Sequence, residues 1–313
     1  MASKGKVAVI GSGLVGQNWA MIFASVGYSV QLYDVSEDKI SGALGKIKET
    51  LKTYSDKGIL RGNLDWEKQS QLITGTLDLG ECLKDAFYVQ ECVFEDIALK
   101  QKVFSDIDSL VSESTIMASS TSRIPPSVIF EKCKNRSNGL IVHPINPPYF
   151  IPLVEIIKSP WTSEEVTLKA RTLMDEVGQK PVVANKEVLG FIVNRIQFAI
   201  FAECYRLIED KVISPEDVET VMSEGLGMRY AFLGPWETAH LNAAGVEDYF
   251  KKFGPGVVDV LKTFGPNPTS LDGQAAQDII EAINRKVPLG QLEERRKWRD
   301  NMLIALSQVK RQS

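Results

Sequence analysis

The chain has 313 residues, of which 44% are hydrophobic and 24% charged, and its formal net charge is −4 at pH 7. This composition is ordinary for a globular protein large enough for two domains, and the weak negative charge gives no electrostatic footprint for nucleic acid or an anionic membrane. No apolar run approaches the ~20 residues that span a bilayer. The four cysteines are scattered without C-x-x-C spacing, which predicts free thiols and neither a disulfide framework nor a metal site. Because the first predicted strand starts at Val7, there is no room for a signal or transit peptide, and we expect a cytoplasmic protein.

The first predicted strand, Val7–Ile10, runs directly into a glycine-rich turn. Residues 11–16 spell G-x-G-x-x-G, and the apolar residues after them recur at helical spacing. A second predicted strand, Ser29–Tyr33, ends at Asp34. This order of elements indicates a dinucleotide-binding unit: a strand, a glycine-rich turn, a helix, a second strand and an acid at its end.

Each part of this unit has a physical task in holding a dinucleotide. Gly11 permits the tight turn, Gly13 lets the backbone approach a pyrophosphate, and Gly16 lets helix and strand pack closely. The helix N-terminus offers unpaired N–H groups to the phosphates. Asp34 would accept hydrogen bonds from ribose hydroxyls and repel a 2′-phosphate, which predicts NAD rather than NADP. The predicted cofactor-binding residues here are Gly11, Gly13, Leu14, Val15, Gly16 and Asp34.

Strands and helices alternate up to about residue 186, which predicts a doubly wound, mostly parallel sheet. Strands are expected at 7–10, 29–33, 72–75, 87–90, 115–119, 140–142, 153–157 and 181–184, and the main helices among them at 36–57, 97–110 and 163–177. The helix predicted at 97–110 carries apolar residues at 99, 103, 107 and 110.

Beyond residue 186 the pattern is helical only. The segment Phe191–Leu207 is apolar almost all round, which predicts a helix buried between layers or between subunits. Another helix starts at Ser214-Pro215 and is expected to end at Gly225 and Gly227. We therefore predict an NAD-binding domain at 1–188 and a helical substrate and dimerisation domain at 189–313.

Polar residues after two predicted strands are the candidates for chemistry, since ligands bind at the carboxyl ends of parallel strands. Ser119–Ser122 follows one strand and His143 ends another. An imidazole can act as the base for a hydroxyl proton, and Glu155, within an apolar strand, is costly there unless it is paired. The sequence thus predicts a His143–Glu155 pair, with a structural histidine beside a strand-edge glutamate as the competing interpretation.

Two further polar residues lie in the helical part. Asn194 opens the most apolar helix, where its amide serves either a ligand or a helix cap or interhelical hydrogen bond. His240, the other histidine, is expected to be a satisfied helix residue.

Over nearly its whole length the chain resembles the 3-hydroxyacyl-CoA dehydrogenase family. The segments that carry the resemblance are Val7–Gly16 with Asp34, Gln90–Asp96, Ser119–Ser122, His143–Pro148, Pro152–Glu155, Gly190–Arg195 and Ser223–Glu237. The resemblance implies a Rossmann-type domain, an all-α C-terminal domain and a homodimer. It also implies that His143 and Glu155 are the catalytic pair and that Ser122 and Asn194 bind the reacting hydroxyl. Glu95 and Lys100 match positions that contact the nicotinamide end of NAD.

Three departures from the family pattern concern the substrate. The acyl-CoA enzymes usually have Asn at the position of Ser120 and two aromatic residues at the positions of Pro144-Ile145, and this chain adds Arg229 to a glycine-rich segment. An arginine there could clamp a substrate carboxylate, or it could be a surface or interface arginine paired with an acid.

The departures favour a small hydroxy acid. A closer resemblance, to members that act on a sugar acid, implies NAD-dependent oxidation of L-gulonate to 3-dehydro-L-gulonate. A 3-hydroxyacyl-CoA or carnitine-like substrate remains open, as does a function of a different class, that of a structural lens protein that binds NAD.

Overall fold

The computed structural model describes residues 4–310 and contains an eight-stranded sheet in the order β3-β2-β1-β4-β5-β6-β7-β8. The strands are β1 (Lys6–Ile10), β2 (Ser29–Tyr33), β3 (Ile73–Thr76), β4 (Ala86–Glu91), β5 (Ile116–Ser119), β6 (Gly139–Pro144), β7 (Leu153–Lys158) and β8 (Lys180–Ala184). Neighbouring strands are parallel except for the antiparallel pair β6 and β7. The predicted doubly wound, mostly parallel sheet is confirmed.

Helices connect the strands and then continue alone. Those among the strands are α1 (Leu14–Ser25), α2 (Glu37–Asp56), α3 (Trp66–Gln71), α4 (Leu79–Leu83), α5 (Ile97–Leu110), α6 (Pro126–Ile129) and α7 (Glu164–Glu176). Those that follow are α8 (Val193–Glu209), α9 (Pro215–Thr220), α10 (Gly227–Tyr230), α11 (Pro235–Leu241), α12 (Val246–Lys262), α13 (Gly273–Lys286) and α14 (Leu292–Lys310). The chain forms two compact units, one up to Val193 with Leu303–Gln308 and the other comprising Asn194–Met302 and the residues from Val309. Between residues 4 and 310 no helix combines the length and apolarity needed to cross a bilayer.

The first strand is buried on both faces, as an unbroken apolar run predicts. Val7 and Val9 belong to one hydrophobic cluster and Ala8 and Ile10 to another, because successive side chains of a strand point to opposite faces. The second cluster includes Phe104 of α5. Helices therefore cover both sides of the sheet and leave its strand ends as the accessible edge.

Two charged residues are buried on α5 together with its apolar ones. Lys100 and Asp108 are buried with Phe104 and Ile107, while Leu99 and Leu110 are exposed. Both charges have partners: Asp108 accepts hydrogen bonds from two backbone N–H groups, and the Lys100 ammonium lies 2.7 Å from a glutamate carboxylate. The apolar spacing in the sequence gives no sign of these two buried charges.

One prediction for the helical unit is wrong in detail. Gly225 and Gly227 do not end a helix, because a π-helical turn at Val221–Leu226 joins α9 to α10. Phe198 and Phe201 of α8 are both more than half exposed within the chain, so burial of this helix between subunits stays a prediction.

Two glycines of the turn after β1 provide a matched test of packing. A Cβ at Gly16 would lie 1.9 Å from the carbonyl oxygen of Gly11, whereas a Cβ at Gly13 meets no atom within 4 Å, and Gly13 has an ordinary φ of −66°. We expect Gly16→Ala to lower the free energy of unfolding by about 3 kcal/mol and Gly13→Ala by less than about 1 kcal/mol. Denaturant unfolding at equilibrium measures both, and equal losses would contradict this packing argument.

Candidate active site

The glycine turn after β1 leaves a helix N-terminus open to a ligand. Gly11 has a φ of +104°, which favours glycine, and its N–H donates to the Tyr33 carbonyl at 2.8 Å. Gly13 precedes the first residue of α1, and no side chain caps the helix there. The open space around Gly13 and the uncapped N–H groups of the first turn, which begins at Leu14 and Val15, fit a dinucleotide pyrophosphate.

A cavity of about 740 Å³ adjoins this turn within the first unit. Gly11, Gly13, Asp34, Lys39 and Phe94 are among its lining residues. A volume of this size accommodates a large part of a dinucleotide. The cavity lies beyond the carboxyl ends of β1 and β2, where a doubly wound sheet binds such ligands.

Asp34 presents a fixed negative charge to this cavity. Its Oδ2 accepts hydrogen bonds from the N–H and hydroxyl of Ser12 at 3.0 and 2.8 Å, and its Oδ1 accepts one from the N–H of Val35. Partial burial raises the pKa of Asp34, but these donors and the nearby Lys39 outweigh it and hold the pKa below its ordinary value. The carboxylate is therefore ionised at neutral pH, which disfavours a phosphate on the adjacent ribose.

His143 and Glu155 are direct partners across the antiparallel pair β6–β7. The strand register places them opposite each other, and His143 Nδ1 lies 2.8 Å from Glu155 Oε2. Both residues are buried. With the carboxylate accepting from Nδ1–H, the other ring nitrogen, Nε2, carries the lone pair that a general base needs.

The second oxygen of Glu155 is held by the backbone at the end of the first unit. Oε1 accepts hydrogen bonds from the N–H groups of Ile192 and Val193 at 2.7 and 2.9 Å. Burial raises the pKa of Glu155, but the bonds from His143 and these two N–H groups outweigh it, so the pKa lies below its ordinary value. Phe191, buried with a left-handed φ of +52°, turns the backbone here, and its ring centroid is 5.7 Å from that of His143.

Ser122 and Glu95 meet at the ends of β5 and β4. Glu95 Oε1 accepts hydrogen bonds from the Thr121 hydroxyl at 2.6 Å and from the N–H and hydroxyl of Ser122 at 3.1 and 3.3 Å. Burial raises the pKa of Glu95, yet these bonds and the charge of Lys100 hold it below its ordinary value. Lys100 itself is 1% exposed, with its ammonium 2.7 Å from Glu91 and 3.5 Å from Glu95.

Asn194 and Arg229 belong to the second unit. Asn194 is the second residue of α8 and is half-buried. Arg229 is exposed on α10, directly after the π-helical turn, and among residues 4–310 its guanidinium has no hydrogen-bond or ion-pair partner. His240 is near the end of α11, where Nδ1 accepts the N–H of Val246 at 3.0 Å.

Sequence reasoning missed two parts of this site. The N–H groups of Ile192 and Val193 hold Glu155, but a backbone amide leaves no signature in a sequence. Glu91 is fully buried at the end of β4, and its pairing with Lys100 depends on how β4 and α5 pack. Only the position of an acid at the end of an apolar strand could have drawn attention to Glu91.

Comparisons with known proteins cover both units. Residues 6–188 match the sequence model described as 3-hydroxyacyl-CoA dehydrogenase, NAD binding domain, and residues 190–263 match the one described as 3-hydroxyacyl-CoA dehydrogenase, C-terminal domain. A lambda-crystallin homolog of Mus musculus is 43% identical over 310 residues, which are 98% of this chain and 97% of that protein. An L-carnitine dehydrogenase of Bacillus cereus is 33% identical over 306 residues, or 97% and 92% of the two chains.

A solved structure shows the same architecture. A 5-formyl-3-hydroxy-2-methylpyridine 4-carboxylic acid 5-dehydrogenase, described as an NAD+-dependent dismutase, superposes with a TM-score of 0.78 at 28% identity and covers 97% of both chains. The family match includes the NAD-binding domain, and the glycine turn and Asp34 have the geometry that this cofactor requires. The chain therefore binds NAD, and it belongs to the 3-hydroxyacyl-CoA dehydrogenase family.

Proposed function

We propose that this chain oxidises the 3-hydroxyl of a small hydroxy acid with NAD, and that the substrate is L-gulonate, giving 3-dehydro-L-gulonate. The observation that supports the reaction type most directly is the buried hydrogen bond between His143 and Glu155 at the end of β6. It supplies a base and a fixed counter-charge in the unit that binds NAD.

His143 acts as the general base of this reaction. NAD, when bound, accepts the hydride that leaves the carbinol carbon. Nε2 takes the hydroxyl proton, and Glu155 stabilises the resulting imidazolium without taking the proton itself. The two N–H groups on Oε1 keep the carboxylate in place while the charge on the imidazole changes.

Ser122 and Asn194 orient the reacting oxygen. The Ser122 hydroxyl, which bonds to Glu95 at 3.3 Å, is the proposed donor in the first unit, and the Asn194 amide is the proposed donor in the second. Donors on the reacting oxygen align the carbinol hydrogen with the cofactor.

The choice of a small acid rests on residues outside this pair. Arg229 is exposed and without a partner among the described residues, and an arginine binds a carboxylate with two parallel hydrogen bonds. Pro144 and Ile145 follow His143 where the acyl-CoA enzymes carry aromatic residues. The similarity to an L-carnitine dehydrogenase supports another small 3-hydroxy acid as the second candidate.

A 3-hydroxyacyl-CoA substrate and a structural role in the lens have weaker support. The family match favours the former, and the similarity to lambda-crystallins favours the latter. The buried His143–Glu155 pair supports an enzyme, so we regard a role in the lens as recruitment of an enzyme.

The apolar face of α12 supports a homodimer as a second proposal. Phe250, Phe253, Val257 and Leu261 recur at spacings of three and four, which puts them on one side of the helix, and all are more than two-fifths exposed. Monomers rarely leave a contiguous apolar surface of this kind in water. The occupant we propose is the same face of a second copy, because most soluble oligomers are symmetric homo-oligomers.

Replacing the proposed base tests the mechanism. We expect His143→Gln to lower kcat by about 100-fold or more, because a glutamine amide cannot accept the hydroxyl proton. His240→Gln is the matched control and should keep wild-type kcat. Steady-state formation of NADH measures both, and calorimetry with NAD shows whether the cofactor still binds. Near-normal turnover of His143→Gln would exclude it as the base.

A substrate panel tests the proposed specificity. L-gulonate, L-carnitine and a short 3-hydroxyacyl-CoA are each assayed with NAD and with NADP. We expect the highest kcat/KM for L-gulonate with NAD, and we expect Arg229→Met to raise its KM about tenfold or more with little change in kcat, since one charge-assisted contact is lost. Arg296→Met, another exposed arginine of the second unit, is the control. A preference for the acyl-CoA, or NAD binding with no turnover, would contradict the proposal.

Light scattering tests the dimer. At micromolar concentration we expect twice the mass of one chain, and we expect Phe253→Glu to give the monomer because it buries a charge in the interface. Lys251→Ala, which lies on α12 outside the apolar face, should leave the dimer intact. A monomeric wild-type chain would refute this arrangement.

A further inference from the structure

A buried ion pair lies beneath the loop that follows β4. Glu91, the last residue of β4, is fully buried, and Lys100 in α5 is 1% exposed, with 2.7 Å between Lys100 Nζ and Glu91 Oε1. The hydride transfer described above uses neither residue. Taking two charges out of water is expensive, and an apolar pair is often at least as stable. Stability alone therefore does not account for the pair.

Hydrogen bonding favours the anionic form of Glu91. Besides Lys100, its carboxyl group accepts the N–H of Val93 at 2.6 Å and the hydroxyl of Ser119. Ser119 Oγ also accepts the N–H of Thr121. Donors to a carboxylate stabilise its charged form. Burial raises the pKa of Glu91 above its ordinary value, and the Lys100 ammonium and the other donors oppose that rise.

Lys100 is shared between two carboxylates of unequal exposure. Its ammonium is 3.5 Å from Glu95 Oε2, and the Glu95 side chain is 32% exposed, whereas that of Glu91 is 0% exposed. The three charges of this cluster sum to −1. Because Glu91 neutralises Lys100 from the buried side, the net negative charge remains on the exposed side, at Glu95.

The order of strands places Glu95 near the nicotinamide end of NAD. A dinucleotide crosses a doubly wound sheet at the point where the strand order reverses, which here lies between β1 and β4. Asp34, after β2, marks the adenosine side. The nicotinamide side then lies over the loops after β4 and β5, which carry Glu95 and Ser122. This placement depends on NAD binding and sheet order, and is independent of the substrate.

We propose that the cluster Glu91–Lys100–Glu95 raises the affinity of the protein for the oxidised cofactor relative to the reduced one. The nicotinamide ring carries one positive charge in NAD+ and none in NADH, so a neighbouring net charge of −1 stabilises only the oxidised form. Glu91 is a positioning residue in this scheme, because it occupies the Lys100 charge and leaves Glu95 uncompensated. The inference holds for any substrate and therefore goes beyond the proposed function.

The test compares the dissociation constants of NAD+ and NADH for the full chain, measured by calorimetry at about 20 mM salt, where screening is weak. Glu91→Gln and Glu95→Gln each make the cluster neutral, whereas Glu91→Gln combined with Lys100→Met keeps the wild-type charge. We expect the ratio Kd(NADH)/Kd(NAD+) to fall about three- to tenfold in each single variant and to return to the wild-type value in the double variant.

The ratio separates an electrostatic role from a structural one. A displaced loop weakens both forms of the cofactor and leaves their ratio unchanged. An unchanged ratio in Glu95→Gln, or the same shift in the double variant as in Glu91→Gln, would overturn the proposal. If Glu91→Gln does not fold, as judged by circular dichroism, the partly exposed Glu95→Gln and the double variant still decide the matter. Failure of L-gulonate as a substrate would leave all of these ratios unaffected.

Discussion

The geometry of the proposed catalytic site depends on one carboxylate, Glu155, which is buried without access to water. Glu155 is stable as an anion only because three donors replace its hydration: the His143 ring on one oxygen and the N–H groups of Ile192 and Val193 on the other. Removing one partner of a buried charged pair costs about 3–5 kcal/mol, so the fold and the site are coupled at this point. The reversal of direction from β6 to β7 makes the arrangement possible, because directly opposed residues of antiparallel strands point to the same face.

A second buried carboxylate, Glu91, also has donors in place of its hydration, but one of its partners is of a different kind. The partner of Glu91 is the ammonium of Lys100, whereas the partner of Glu155 is the imidazole of His143, the proposed base. Both carboxylates are near the accessible strand ends, Glu91 at the end of β4 and Glu155 opposite the end of β6. The same edge of the sheet thus holds two buried carboxylates with partners of different chemistry.

Features governed by local rules could be predicted from the sequence, and those governed by packing could not. The positions of the strands along the chain and the glycine turn follow from apolar runs and turn chemistry. Glu155 could be singled out because an acid within an apolar strand needs a partner. The apolar spacing in α5 gives no sign that Lys100 is buried, because a lysine is normally exposed and its burial depends on a partner brought by packing. Gly227 resembles a helix end in the sequence, although its φ of −61° and ψ of −36° are ordinary helical values, reached through a π-turn that relieves the break. The N–H groups that bind Glu155 depend on the left-handed turn at Phe191, a conformation that its side chain does not favour.

The proposed cofactor residues and several of the proposed substrate residues lie in different units of the chain. This division can account for relatives that carry the names of different proteins. The glycine turn, Asp34 and the Glu91 cluster, which are proposed to act on the cofactor, all lie in the first unit. Arg229, proposed to bind the substrate carboxylate, and Asn194, proposed to orient the reacting oxygen, lie in the second unit, whereas Pro144 and Ile145 lie in the first. A change of substrate can then occur through the second unit while the constraints on buried charge in the first stay satisfied. Such a division is consistent with similarity across almost the whole chain to proteins as differently named as a lambda-crystallin and an L-carnitine dehydrogenase. Substitution of the buried anions of the first unit costs free energy of unfolding, whereas substitution of the exposed Arg229 of the second unit costs little. We therefore expect substrate specificity to diverge through exposed residues such as Arg229.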